Sequence, residues 1–523
     1  MRTKVFVGVV AAVAMAGCGT TVPQQSIAGR AAGGELGGPT TQGTGKSQDP
    51  TASGVDGNGV SGTTTAGRGG VGTSLATRGS GYGSAGDLGT MGASGGSVGS
   101  TASGVGPGVT AKTISIGVLY SPDQAKERAA LGANVDFGDP KADAQAVIDD
   151  INAHGGIVGR KLKMETFAIS ATSTETTAQQ YAAACQQFTA DTKVLVVYPV
   201  ADSGLASCLA KHGVTSLSSG IAENDRVDFA ANLAHIDVSS NTPDSAMRNL
   251  VDALAGSGWL TARWDTTNGR PGGALPVKLG ILYTDQPEWT RATEKTLLPE
   301  LAKRGIQVAP ADIFQSSYPK SSSDIGNFVA QVQAAVLKFR QDNVTNVIPV
   351  DVNSLGFFTS GAESQGYRPR YAVTTASQPQ LLMDAGITPA RQLNGALGFG
   401  WQPLIDVHSY ASYPAPGKQA CDRAAAAGGQ RASGPAAEFS IVGACDALYG
   451  LRRALTTAAA HDGVTMPAIV HGFEALGSRF TFASIPAGTF SVAKHWAVSS
   501  GYHYAYDAGC QCMVYSGRPY LLR

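Results

Sequence analysis

Beyond residue 112 the apolar positions alternate between two periods. "ISIGVLY", Ile114 to Tyr120, is a β-branched apolar run and reads as a strand. The next segment, from Asp139, places Ala144, Val147, Ile148 and Ile151 at i, i+3, i+4 and i+7, one stripe of a helix. Asp139 suits its N-cap, Pro140 its first helical position, and the helix is expected to reach about Ala153. In "KLKMETF", Leu162, Met164 and Thr166 then alternate with Lys161, Lys163 and Glu165, a strand period. Between helix and strand lies "INAHGGIVGRKL", which reads as architecture. Gly155 suits a left-handed helix end, Gly156 and Gly159 a tight connection, and His154 the last helical turn.

The alternation continues. Helices are expected over residues 175–190, 203–212, 242–254, 288–304, 323–342 and 354–365. Strands are expected at 194–199, 214–219, 233–238, 278–284, 306–314, 346–352, 370–376 and 393–401. Strands and helices alternating at this spacing mean an α/β fold with parallel sheets covered on both faces. Apolar runs such as "VLVVYP" suit strands buried on both sides. Residues 405–437, rich in Ala, Gly and Pro, follow neither period.

Composition changes the picture at the N-terminus. About one-third of residues 19–108 are glycine, and the only aromatic there is Tyr82. Such a stretch cannot bury enough apolar surface to offset its chain entropy, so residues 19–110 are expected to form a disordered tether. Its reach would be roughly 50 Å. Two matches to GxGxxG, at 57–62 and 81–86, and one to GxSxG, at 92–96, fall inside it. No strand precedes them and no helix follows, so they read as products of low complexity. Residues 1–18 carry Arg2 and Lys4, then an apolar run of roughly ten residues, short of the ~20 that span a bilayer. They read as an export signal. It ends in Met15-Ala16-Gly17-Cys18, which resembles a bacterial lipobox; the resemblance implies lipidation of Cys18 and a membrane contact through that anchor only.

The formal net charge is zero, which excludes the basic footprint of a nucleic-acid binder. Six cysteines remain: Cys185, Cys208, Cys421, Cys445, Cys510 and Cys512. In an exported chain an even count points to disulfides, and six cysteines allow fifteen connectivities. Cys510-Gln511-Cys512 with His495 and His503 makes only a weak zinc pattern, and no metal or cofactor is expected.

"INAHGGIVGRKL", following a first strand and helix, resembles the signature of type I periplasmic binding proteins, in particular the leucine/isoleucine/valine-binding group. "VLVVYPVADSGLASCLAKHGVTSLSSG" is similar to that family's second βαβ unit, "KLGILYTDQPEWT" to the strand opening its second lobe, and "FSIVGACDALYGLRRAL" to its long returning helix. The resemblance covers about residues 112–523. It implies two Rossmann-like lobes, 111–240 with 403–480 and 241–402 with 481–523, joined by a three-segment hinge around a ligand cleft. It also implies a Cys185–Cys208 disulfide. For the other four cysteines, Cys421–Cys445 with Cys510–Cys512 stands beside crossed pairings to the tail.

Open α/β sheets bind ligands beyond the carboxyl ends of their strands. That rule nominates Tyr120, Ser203, Ser218, Ser219, Asp351, Asn353 and Ser377, and the resemblance adds Trp289 as an aromatic over the ligand. Ser203 starts a helix whose backbone N–H groups could receive a carboxylate. Two departures from the family pattern bear on the ligand. The first-lobe loop, Ser218-Ser219-Gly220-Ile221-Ala222, lacks the threonine of amino-acid binders, and Ser377-Gln378 lacks their carboxylate, for which Asp351 could substitute. Amides, short-chain acids, aromatic compounds and polyols therefore stay open beside amino acids.

The function expected is that of a lipoprotein on the outer face of the bacterial cytoplasmic membrane, capturing a small-molecule solute and delivering it to the permease subunits of an ABC importer. A ligand sensor on the same fold is the alternative. An extracytoplasmic hydrolase ranks third: the folded part has no nucleophile elbow and no HExxH, and its histidines show no ligand spacing.

Overall fold

The computed structural model describes residues 104–123, 135–170 and 172–523. The export signal, Cys18 and the three glycine-rich motif matches lie outside the described residues. Ordered pairing begins inside the stretch read as tether: Val105 bridges Val464, and the Gly106 N–H donates to the Val464 carbonyl at 2.7 Å.

Five strands make the first sheet: β1 Thr113–Tyr120, β2 Lys161–Ala168, β3 Val196–Tyr198, β4 Thr215–Ser218 and β5 His235–Asp237. Their order is β2-β1-β3-β4-β5 and every pairing is parallel. The helix Pro140–Ala153 covers this sheet with its buried stripe Ala144, Val147, Ile148 and Ile151. Asp139 caps it, accepting the N–H groups of Lys141 and Ala142. Gly117 in β1 is required by packing, because a Cβ there would lie 2.8 Å from the Phe188 ring.

The glycine-rich connection is architectural. Gly156 sits at φ +75°, and a Cβ on it would lie 2.0 Å from the Arg160 carbonyl oxygen. Ile157 and Arg160 exchange two backbone hydrogen bonds, of 2.8 and 2.9 Å. Val158 (φ +43°) and Gly159 (φ +78°) between them form a mirror-image type I turn, whose twist matches the strand it feeds.

A two-residue ladder, β6 Trp264–Asp265 with β7 Arg270–Pro271, precedes the second sheet. That sheet contains β8 Leu279–Thr284, β9 Ile313–Ser316, β10 Asn346–Pro349, β11 Arg370–Thr374, β12 Leu397–Gly400, β13 Ser500–Asp507 and β14 Cys512–Leu521. Its order is β14-β13-β12-β11-β10-β8-β9. Strands β8 to β12 pair in parallel, but β13 and β14 pair antiparallel. The parallel sheet expected is present in β8 to β12, and the hairpin β13–β14 extends it antiparallel at one edge. A turn this short cannot carry a parallel crossover. The segment 306–314 also pairs later than expected: Pro310 opens a single helical turn, Pro310–Asp312, and β9 starts only at Ile313.

Three segments pass between the sheets, at 238–242, 401–434 and 485–499. After the second, the helices Pro435–Asp462 and Met466–Leu476 return to pack against β4, the longer one also against the helix Pro140–Ala153. Residues 405–437 contain the helix Lys418–Ala427, stapled to the returning helix by Cys421–Cys445. Cys185–Cys208 joins the helices Thr177–Gln186 and Ser203–Lys211, and Cys510–Cys512 closes the β13–β14 turn. Among the described residues no helix is long and apolar enough to cross a membrane.

Candidate functional site

The loops that leave the carboxyl ends of β2, β3, β4, β8, β9, β10 and β11 converge on one cleft of about 570 Å³. Both sheets contribute to its walls. Two contacts cross between them beside the cleft. The Thr177 N–H donates to the Lys320 carbonyl at 3.3 Å. Arg291, on the helix Pro287–Ala292 after β8, pairs with Asp225 and Asp228 beyond β4, the second at 2.8 Å.

Four of the nominated residues line this cleft: Ser203, Trp289, Asp351 and Asn353. Tyr120, Ser218, Ser219 and Ser377 do not, and each is engaged locally. The Tyr120 ring packs under the Lys141 ammonium at 5.0 Å. The Ser218 hydroxyl donates to Asp237 Oδ2 at 2.9 Å, and Ser219 shares a hydrogen bond with the Tyr198 hydroxyl at 3.0 Å. Ser377 accepts the Thr374 N–H and donates to the Thr374 carbonyl, closing the turn after β11. Strand-end serines satisfy their own turns as readily as a ligand.

Four carboxyl groups line the cleft, in two classes. Asp202 caps the helix Ser203–Lys211, accepting the Leu205 N–H at 2.6 Å. Asp351 caps the helix Val352–Ser364, accepting the Ser354 N–H at 3.0 Å and its hydroxyl at 2.7 Å, and it takes the Thr284 N–H at 3.1 Å. Burial raises both above the usual carboxylate range against these hydrogen bonds. The helix starts that could have received a ligand carboxylate are thus closed by the chain's own acids.

Glu223 and Glu288 belong to the other class. Glu223 stands beyond β4, and its Oε2 is buried without a hydrogen-bond partner. Burial pushes its carboxyl up to about 8, with the charges of Asp237 and Glu288 adding to the effect. Glu288 stands at the start of the helix Pro287–Ala292; burial pushes it up to about 7, opposed by a hydrogen bond from its own backbone N–H. Gln378 also lines the cleft. It is 2% exposed, left-handed at φ +49°, and its Oε1 has no partner. None of these three was nominated from sequence. Glu223 lies one residue beyond the loop as it was read, and Glu288 and Gln378 each adjoin a residue that was nominated. Among the described residues no cluster of three or more His, Cys, Asp or Glu side chains is arranged for a metal.

No protein-family model and no curated protein matches the chain in sequence. Solved structures do match in fold. An extracellular ligand-binding receptor from Rhodopseudomonas palustris HaA2 superposes with a TM-score of 0.54 at 14% identity, over 77% of this chain and 99% of that one. A possible leucine/isoleucine/valine-binding protein from Rhodopirellula baltica SH 1 gives 0.53 at 12%, over 78% and 97%. A fatty acid ABC transporter substrate-binding protein from Thermomonospora curvata gives 0.52 at 15%, over 80% and 95%. The chain has the α/β fold of these type I periplasmic binding proteins, two sheets around one cleft.

Proposed function

We propose that the protein is an extracytoplasmic solute-binding lipoprotein. It captures a small molecule in the cleft by hinge closure and hands it to the permease subunits of an ABC importer, without chemical turnover. Cys18 holds it to the outer face of the membrane. Residues 111–240 with 403–480 and 241–402 with 481–523 act as the two lobes.

One observation carries the reading: a single cleft is lined by strand-end loops of both sheets. A ligand held by both walls stabilises the closed arrangement, and the three connecting segments provide the hinge. The cleft's volume falls in the range of small-molecule sites, roughly 300–1,000 Å³. Ser203 and Asn353, one from each side, are proposed as polar contacts, and Trp289 as the apolar wall.

Thermal unfolding of the ligand-stripped protein against amino acids, amides, organic acids, amines and sugars tests the reading. A solute at a hundred times its dissociation constant should add about 2.7 kcal/mol, and small-angle scattering should show a smaller radius in its presence. Turnover of the stabilising solute would overturn it.

A further inference from the structure

Resting on that solute-capture reading, we propose that the ligand is a small organic cation without a carboxylate, its ammonium paired with Glu223 and Glu288 and its apolar body against Trp289. Three features of the cleft lead there.

The first is the state of the helix N-termini. Three helices of nine or more residues start at the cleft, Thr177–Gln186, Ser203–Lys211 and Val352–Ser364. Free N-termini of this kind bind anions through backbone N–H groups. Here each is closed by its own side chain: Thr176 accepts the Gln179 N–H, Asp202 the Leu205 N–H and Asp351 the Ser354 N–H. A ligand carboxylate would meet the Asp202 and Asp351 oxygens instead of the amides.

The second is the sign of the walls. Among the described residues that line the cleft, four carry carboxyls and one, Lys320, is a lysine or arginine. Two of the four are committed to caps. Glu223 leaves its Oε2 without a donor and Glu288 accepts its own backbone N–H; they line the cleft from its two sides, beyond β4 and beyond β8, and the Glu288 charge raises the Glu223 carboxyl. An ammonium between them supplies a counter-charge and can donate to both.

The third is a buried acceptor outside that pair. Gln378 Oε1 lines the cleft, is buried and receives no hydrogen bond. Such an atom is costly unless something donates to it. A ligand rich in N–H groups meets that need, whereas a carboxylate does not. Trp289, buried in the same wall and lining the cleft, is an aromatic of the kind that attracts organic cations.

The test uses the full chain and two matched sets of probes: phenethylamine, 3-phenylpropionate and 3-phenylpropanamide, then hexylamine, hexanoate and hexanamide. Thermal shift and calorimetric titration are read at millimolar concentration. The amines should raise the melting temperature where the acids and amides do not. Glu223→Gln and Glu288→Gln should each weaken the amine at least about tenfold, the scale of a lost charge-assisted hydrogen bond. If Glu223→Gln does not fold, Glu288→Gln decides alone. Binding of an acid or amide in preference to its amine, or an amine unaffected by the variants, overturns the cation and leaves solute capture standing. If neither amine binds, the cation assignment also falls, and native mass spectrometry of the purified chain then judges capture itself. A co-purified small molecule of another class would keep that reading, and an empty protein would remove both.

Discussion

Two sites on the cleft wall hold the same functional group for different ends. At the starts of the helices Ser203–Lys211 and Val352–Ser364, Asp202 and Asp351 are short acids held by backbone and hydroxyl donors. Beyond β4 and at the start of the helix Pro287–Ala292, Glu223 and Glu288 are longer acids; the charge of Glu288 raises Glu223, which has an oxygen that receives nothing. All four are raised by burial. Hydrogen bonding separates them. An acid satisfied by several donors is a structural part, and an acid with a buried oxygen that receives nothing, as in Glu223, has a function still to be supplied from outside. The first pair turns the helix starts away from anions, and the second makes the cleft receptive to a cation.

Removing a cap should cost more than neutralising a cleft acid. Asp351→Ala leaves the Ser354 and Thr284 N–H groups buried without acceptors, and should lower the unfolding free energy by about 3 kcal/mol in urea titrations. Arg291→Ala should cost about 2 kcal/mol, because it leaves Asp225 buried beside Asp228 with no cation. It should also widen the separation of the two sheets, measurable by small-angle scattering. Asp202→Ala removes a single cap bond and should cost about 1 kcal/mol by the same titration, with the rest of the cleft unchanged. A loss from Asp202→Ala as large as that from Asp351→Ala would mean that the number of satisfied donors does not set the difference.

The first sheet was legible in the sequence because local rules act there without conflict. The Asp139 cap, the stripe from Ala144 to Ile151 and the glycine turn all agree with the burial observed. The cleft was half legible. Strand-end loops pointed to Ser203, Asp351 and Asn353 and the family resemblance to Trp289, but the strand-end rule also admitted Ser218, Ser219 and Ser377, whose hydroxyls are absorbed by Asp237, Tyr198 and Thr374. No local pattern distinguishes a serine that closes its own turn from one that faces a ligand. Glu223 was passed over because its electrostatic setting is not local: Glu288, whose charge raises it, lies 65 positions on, in the helix after β8. The β13–β14 hairpin was missed for a related reason. Its edge pairing with β12 joins residues about a hundred apart, and only the Cys510–Cys512 turn marked it locally.

The smallest expected effect distinguishes the two classes of acid most directly. Glu223 holds its proton more tightly in the folded chain, its carboxyl raised from 4.5 to about 8. Its contribution to stability is therefore whole below about 4.5 and lost as the pH climbs through about 8. Glu288 has the same sign over a lower window, ending near 7. Glu223→Gln keeps the shape and removes the titration. Near pH 5 the variant and the parent should unfold alike, and near pH 9 the variant should be more stable, by only about 1 kcal/mol because water reaching the half-buried Glu223 screens its charge, read from urea midpoints at each pH. A saturating cation should reverse that order at the higher pH, because it binds the ionised parent more tightly than the variant. Asp351→Asn should stay less stable than the parent at both pH values, since it removes an acceptor that three donors need. If both variants gained stability alike at high pH, burial alone would govern the cleft acids, and hydrogen bonding would not divide them.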